Sequence, residues 1–323
     1  MTGGTGVIGR ALITRLLDRG DEVVGLGRSD AAAAELADRG VTVARGDVFD
    51  ERALADAMAG CELAFNVAGV NSLCVADPAP MRRANVDGAV AAVRAASRAG
   101  VTRLIHTSSA ATIGEPTGTI GNEWTPHRGW YLSTYEQTKT EGERAALAAA
   151  RELGQDVVCV NPSSVQGPGR ASGTGRFLIA FLDGRLRVFV QTNASMVDIE
   201  DCVQGHLLAA AHGVAGERYL LSGIRVTIAE ALALAADIAG VRRSPRLVPR
   251  PAASVAAAAV EAVFRLRRRQ PPVCREMVRT LLHGHRYDGS RAERELGLVY
   301  TPARETVSRT VEWARSEGLL RNV

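Results

Sequence analysis

The chain has 323 residues, 46% of them hydrophobic, only 4% aromatic, and a mean hydropathy near zero. This describes a soluble, well-buried globule of one large or two modest domains, and it excludes a low-complexity or solenoid chain. The net charge of +4 is uneven: from Val241 to Val323 there are 17 Arg against 8 acids, so that segment carries about +9 and the rest about −5. Few aromatics interleave these arginines, so a solvated surface or an acidic small substrate fits better than nucleic acid.

The chain opens on a glycine turn, Gly3, Gly6 and Gly9 within Thr2 to Gly9, and enters a helical pattern over Ile8–Asp18. A strand is predicted over Glu22–Leu26, then a helix over Ala31–Arg39, a strand over Val41–Ala44 and a helix over Arg52–Met58. The alternation continues with strand Leu63–Val67, helix Met81–Ala99, strand Arg103–Thr107, helix Thr134–Arg151 and strand Asp156–Val160. Short apolar strands separated by Ala-rich helices predict an α/β fold, a parallel sheet covered on both faces. After Pro162 the pattern changes to a Gly/Pro cluster at Gly167-Pro168-Gly169, a short strand pair and helices, the last around Val307–Glu317. The expected division is 1–162 for the sheet domain and 163–323 for a smaller mixed segment, with Met196–His212 returning to the sheet.

Gly-x-x-Gly-x-x-Gly permits a tight turn, a close backbone approach to a pyrophosphate, and close helix-to-strand contact, with the following helix N-terminus favouring the negative charge. Gly3, Thr5, Gly6, Val7, Ile8 and Gly9 are therefore candidate dinucleotide ligands. Such a turn normally follows a strand, and here none precedes it. Removing the central first strand of a doubly wound sheet leaves backbone groups of its neighbours unpaired, so the natural chain is expected to begin about 6–10 residues upstream. Arg28 follows the second strand, where an acid would grip the ribose hydroxyl of NAD and a cation suits the 2′-phosphate of NADP. NADP is the favoured cofactor, with NAD kept open by the nearby Asp30. Asp47 and Val48 follow the third strand, where an adenine edge would be met.

Of 39 basic residues a single one is lysine, Lys139, four positions after Tyr135. In a chain that otherwise uses Arg throughout, a lysine marks a place where a compact ammonium is required and a planar fork is not. The i, i+4 spacing puts the phenol and the ammonium on one helix face.

Five cysteines (Cys61, Cys74, Cys159, Cys202 and Cys274) show no Cys-x-x-Cys spacing and are read as reduced thiols in a cytoplasm, without a zinc site. His283 and His285 alternate rather than falling at i, i+4, so no metal is expected. No signal peptide or membrane span is visible. The apolar stretch Ala252 to Leu266 carries Glu261 and ends in Arg265, Arg267, Arg268 and Arg269. It reads as a packed helix with a solvated basic end, or as an interfacial basic helix.

Taken together, these motifs resemble the extended branch of the short-chain dehydrogenase/reductase family over nearly the whole chain. Besides the glycine turn, Val67-Ala68-Gly69 resembles the segment lining the cofactor, and Asn85 matches the family's helix asparagine. His106-Thr107-Ser108-Ser109-Ala110 resembles its strand-end serine segment, and Pro162-Ser163 opens a stretch like its turn beside the nicotinamide. Asn66 and Gln166 stand where the family often has His or Tyr. Within the branch the chain looks closest to dihydroflavonol-reductase-like proteins and to a hopanoid-associated group of sugar-epimerase-like proteins.

The resemblance implies a Rossmann doubly wound sheet, cofactor contacts from Val67, Ala68, Gly69, Asn85, Thr107, Pro162 and Ser163, and a catalytic set of Ser109, Tyr135 and Lys139. Ser109 is preferred over Thr107 and Ser108 for its distance to Gly114. Tyr135 would be the general acid or base, Lys139 would lower its pKa and hold the nicotinamide ribose, and Ser109 would bind the reacting oxygen. Substrate contacts are expected from Ile113–Tyr131 and Ser163–Val190, with Trp124, Trp130, Phe177 and Phe181 as the aromatics. The leading expectation is an NADP-dependent carbonyl reductase or alcohol dehydrogenase acting on a small organic molecule. The alternatives are a nucleotide-sugar epimerase or dehydratase holding NAD tightly, and a non-catalytic cofactor-sensing binder. A homodimer through two helices is also implied.

Overall fold

The structure, a computed structural model, describes residues 1–171 and 173–321. Its first half alternates α1 (Val7–Asp18), β1 (Val24–Gly27), α2 (Asp30–Asp38), β2 (Thr42–Arg45), α3 (Glu51–Met58), β3 (Leu63–Asn66), α4 (Ala79–Arg82), α5 (Gly88–Ala99), β4 (Arg103–Thr107), α6 (Thr134–Leu153) and β5 (Val157–Pro162). The second half carries β6 (Ser164–Gln166), α7 (Thr174–Leu182), β7 (Val188–Val190), β8 (Asn193–Asp198), α8 (Ile199–His212), β9 (Arg218–Leu221), β10 (Ile224–Thr227), α9 (Ile228–Ala239), β11 (Arg246–Val248), α10 (Arg250–Leu266), α11 (Arg275–His283) and α12 (Ala303–Ser316).

Strands β3, β4, β5 and β9 form one parallel sheet and β1 and β2 pair in parallel beside it. Two residues join the halves. Thr2 donates its amide to Phe65 at 3.0 Å, and the Met1 carbonyl accepts from Leu26 at 2.9 Å. Met1 and Thr2 therefore occupy the slot between β1 and β3, giving the order β2-β1-(Met1–Thr2)-β3-β4-β5-β9. This is a doubly wound Rossmann sheet. The last strand, β9, comes from the part of the chain that sequence reading gave to the substrate segment.

Burial explains the architecture. β5 is buried at all six positions, as a strand covered on both faces must be. One core joins α1, the sheet and α8 through Leu12, Ile13, Val158, Val160, Val203 and Tyr219. On the other face the Ala-rich α3, α5 and α6 lie close to the sheet through residues such as Ala92, Val93, Ala96 and Ala146. Met81–Ala99, read from sequence as one helix, is α4 and α5 joined by a π-turn over Arg83–Asp87. A separate core links α7, α9 and α12.

Not all five cysteines are reduced thiols. Cys74, in the loop after β3, and Cys274, at the N-cap of α11, form a disulfide across a separation of 200 residues. No spacing motif reveals such a pair, because only the fold brings the two segments together. Cys61, Cys159 and Cys202 are free. A crosslink closing so long a loop contributes about 2–4 kcal/mol. Reduction, or Cys274→Ser, is expected to move the urea unfolding midpoint down accordingly; an unchanged midpoint would mean the thiols are not linked in solution.

Candidate active site

Most of the nucleotide-binding residues anticipated from sequence lie at or beyond the carboxyl ends of the parallel strands, where open α/β sheets place their ligands. The glycine turn fits a pyrophosphate. Gly3 has a positive φ of 70°, and a Cβ there would sit 2.6 Å from the Ala68 amide nitrogen. A Cβ at Gly9 would lie 2.1 Å from the Gly3 carbonyl oxygen. The turn closes through the Gly6 amide on Gly3 at 3.0 Å. α1 then begins on Gly6 without a side-chain cap, so with Thr5 before it and Val7, Ile8 and Gly9 inside it, the first turn keeps amides for an anion.

The loop after β3 is held from below. Ala68 donates to Thr2 Oγ1 at 3.2 Å and Val70 donates to Asn85 Oδ1 at 2.8 Å. Asn85 sits in the π-turn, buried, and donates onward to the Val70 carbonyl and to Thr138 Oγ1 on α6. The extra residue of the π-turn aims Asn85 at this loop, a use common at functional sites. Gly69 lies between Asn85 and Lys139: a Cβ there would be 3.2 Å from Asn85 Oδ1 and 3.7 Å from Lys139 Nζ.

At the far end, the Asp30 carboxylate is held by Arg45 at 2.6 Å, while Arg28 is 78% exposed at its side chain and 3.9 Å from Asp47. Asp47 keeps a buried carboxylate oxygen without a hydrogen-bond partner. Val48 faces Gly88 at the start of α5. Pro162 and Ser163 close β5 against Leu221, and the buried Ser163 hydroxyl also has no partner.

The structure gathers Ser109, Tyr135 and Lys139 in one place. Lys139 is buried and donates to the Thr107 carbonyl at 2.9 Å. Burial lowers its pKa to about 8, against the opposing pull of Glu143. Ser109 caps the short 3-10 turn Ala110–Ile113 and accepts from the Ala111 amide at 3.2 Å, so the residue has a structural role as well. Thr107 is oriented by His206, whose Nε2 lies 2.9 Å from its hydroxyl. His206 and His106 are both neutral, with pKa values lowered by burial to about 4 and about 3. Ser108 is buried with its hydroxyl unpartnered.

Burial raises the Tyr135 phenol, and the Ser109 hydroxyl and the Arg170 guanidinium pull it back only in part. Arg170 is thus a cation acting on the phenol besides the lysine that the i, i+4 spacing singled out, and Lys139 donates to the Thr107 carbonyl. Sequence reading missed Arg170, although it directly follows Gly167-Pro168-Gly169. It also missed the clamp on the helix that carries Tyr135. The Thr134 amide donates to Glu276 Oε1 at 2.5 Å, and Arg279 donates to the Leu132 carbonyl at 2.8 Å, both from α11. Beneath lies a buried network in which Glu143 accepts from Thr112, Asn161 and Arg218.

The two residues that depart from the family pattern are well seated. Asn66 accepts from Thr2 Oγ1 at 2.6 Å and meets His106 at 3.1 Å. Gln166 donates to Ser164 and Thr174. Of the four aromatics, Phe181 is core, packed edge-on against Phe189, while Trp124 and Trp130 are exposed and Phe177 lies under Arg176.

His283 and His285, distant from Glu115 in sequence, converge on it. Their ring nitrogens lie 3.3 and 2.7 Å from Glu115 Oε1, and the three groups lie within 4.8 Å of one another. Burial pushes the Glu115 carboxyl up, but the His283 and His285 rings outweigh it and hold the pKa at about 2. The cluster fixes the loop after β4 to the segment after α11.

Residues 1–222 match the NAD dependent epimerase/dehydratase family. A sterol demethylase protein B of Methylococcus capsulatus is 35% identical over 99% of each chain. A putative dihydroflavonol 4-reductase of Synechocystis is 31% identical over 99% of this chain and 95% of its own. The solved dTDP-glucose 4,6-dehydratase DesIV of Streptomyces venezuelae, with NAD and TYD bound, superposes with a TM-score of 0.78 at 25% identity, covering 98% of this chain and 96% of that one. With the glycine turn, the doubly wound sheet and the Ser–Tyr–Lys cluster in place, the chain belongs to the NAD dependent epimerase/dehydratase family, in the extended short-chain dehydrogenase/reductase branch, and is an NAD(P)-dependent oxidoreductase.

Proposed function

We propose that this protein is an NADP-dependent reductase of a carbonyl group on a small organic substrate, running as an alcohol dehydrogenase in reverse. One observation carries the reading: the Tyr135 phenol is hydrogen-bonded to Ser109, and Lys139 on the same helix donates to the Thr107 carbonyl two residues before that serine. A phenol, whose ordinary pKa is near 10, is protonated at neutral pH and can give its proton to the oxygen that carbonyl reduction charges. The bound nicotinamide supplies the hydride. Ser109 holds the carbonyl oxygen by a hydrogen bond that strengthens as charge develops on it. Tyr135 delivers the proton to that oxygen, and Arg170 stabilises the phenolate left behind. Lys139 holds the ribose. Asn85 and Gly69 keep the loop beneath in register. The polycyclic classes named for the two relatives, sterol and dihydroflavonol, favour a ring-bearing apolar substrate.

Arg28 supports NADP, because Arg45 already holds Asp30 and the position after β1 presents positive charge. The second reading, an epimerase or dehydratase with resident NAD, is favoured by the likeness to the NAD-bound dehydratase. Purification without added cofactor, denaturation and mass identification of any released nucleotide separates the two. The expected result is an empty site that prefers NADPH, with Arg28→Ala weakening NADPH about ten- to a hundredfold and NADH much less. Stoichiometric NAD in the purified protein would replace this reading with the second.

A further inference from the structure

We propose that α10 is a membrane-docking helix that seats the protein on anionic bilayers, with α11 between it and the helix that carries Tyr135. α10 has two faces. Ala253, Ala257 and Glu261 are buried against α11, with Val278 and Leu282 opposite. Glu261 ties the two helices together by accepting from the Arg275 amide at 2.8 Å. The other face is an unbroken exposed apolar stripe, Ala252, Val255, Ala256, Ala259, Val263 and Leu266, at the spacing of one helical face. Val255 is 70% exposed and Leu266 87%.

Charge decides what covers this stripe. From Val241 to Glu276 there are nine Arg and two Glu. Both acids are buried or engaged, Glu261 with Arg265 and Arg275 and Glu276 with the Thr134 amide. Arg242, Arg246 and Arg250 lie at or before the start of the helix, and Arg267, Arg268 and Arg269 at its end, next to Arg265, which pairs with Glu261 at 2.6 Å. A second copy laid along the stripe, parallel or antiparallel, would set arginines against arginines. Nucleic acid would meet the arginines but has no counterpart for Val255, Val263 and Leu266, and the stripe carries no aromatic on which bases stack. An anionic bilayer offers both partners at once: phosphates for the arginines and the acyl boundary for the apolar face. No helix among the described residues is long and apolar enough to cross a membrane, so α10 would lie in the interface.

The position matters for access. α11, fixed to the inner face of α10, caps the first turn of α6 through Glu276 and Arg279 and is crosslinked to the loop after β3. A protein docked by α10 thus holds Tyr135 two helices from the lipid surface, where apolar molecules partition. Docking does not depend on which substrate is turned over, and it is read without turnover.

The test is flotation of the full chain with phosphatidylcholine vesicles, with and without phosphatidylglycerol, at low and high salt. The wild type is expected to float with the anionic vesicles only, and less so at high salt. Replacing Arg267, Arg268 and Arg269 together by Gln is expected to weaken partitioning roughly a hundredfold. Val255→Glu with Leu266→Glu is expected to abolish it while leaving NADPH affinity unchanged, since all these positions are exposed and outside the nucleotide site. A wild type that stays in solution with both vesicle types, or floats equally after these changes, overturns the proposal. So does a stable dimer that Leu266→Glu dissociates, because the stripe would then belong to a second copy.

Discussion

Tyr135→Phe is expected to lower turnover by about 10³- to 10⁴-fold while NADPH binds as tightly as before. The phenol oxygen is the sole atom removed. Tyr135 lies on the first turn of α6, whose start is fixed independently by the Ser133 cap, the Arg128–Glu136 ion pair and the contacts from α11. The helix therefore keeps its place, and so do Lys139 and Asn85. What disappears is the proton delivered to the alkoxide and the partner of the Ser109 hydroxyl. Nucleotide titration and steady-state NADPH consumption on the same preparation separate these effects. If the Tyr135→Phe protein turned over at the wild-type rate, Tyr135 would not be the acid. The direction of the pKa shift adds a second check. Because burial raises the phenol, reduction should hold its rate through neutral pH and alcohol oxidation should climb as pH rises toward the phenol's pKa. Removing Arg170, whose charge favours the phenolate, should push the oxidation limb to still higher pH.

The sheet was legible because its signal is local. An apolar run such as Leu104 and Ile105 must be buried on both faces wherever it goes, and the glycine turn can be recognised by spacing alone. Ser109, Tyr135 and Lys139, which the structure gathers, could be proposed from short stretches, Lys139 as the single lysine four positions after Tyr135 and Ser109 by resemblance. The partners that tune them were not legible. Arg170 reaches the phenol from 35 positions downstream, and Glu276 meets the Thr134 amide across 142 residues. Cys74 and Cys274, and Glu115 with its two histidines, are likewise pairs that only chain topology creates. The π-turn at Asn85 fails differently. It is local, but a single extra residue only shifts the phase of the pattern by about 100°, and the Ala-rich stretch after Gly88 has little contrast to show the shift.

Lys139 offers the second large effect, and the chain's own composition makes the experiment sharp. Lys139→Arg is the substitution that the rest of the sequence would favour, yet it is expected to cut nucleotide affinity and turnover by about a hundredfold or more. The ammonium sits in a buried slot, donating to the Thr107 carbonyl at 2.9 Å, with Gly69 just beneath. A guanidinium is wider, brings donors that the slot cannot satisfy, and would displace the loop carrying Val67, Ala68 and Gly69. Lys139→Met fits the stem without the charge and isolates the electrostatic part. In the cofactor-free protein burial lowers the lysine to about 8, against about 10.4 in an unfolded chain. Between these values the unfolded state binds more protons, so stability must rise with pH across that window, by on the order of 3 kcal/mol at most. Below the folded value the full penalty of the buried ammonium remains. Urea midpoints at about pH 7.5 and about pH 10, on either side of the folded value, should therefore diverge more for the wild type than for Lys139→Met, other titrating groups being common to both. Equal pH dependence in the two proteins would mean that the ammonium is solvated after all, and that the one lysine in the chain is held there for a reason other than its charge.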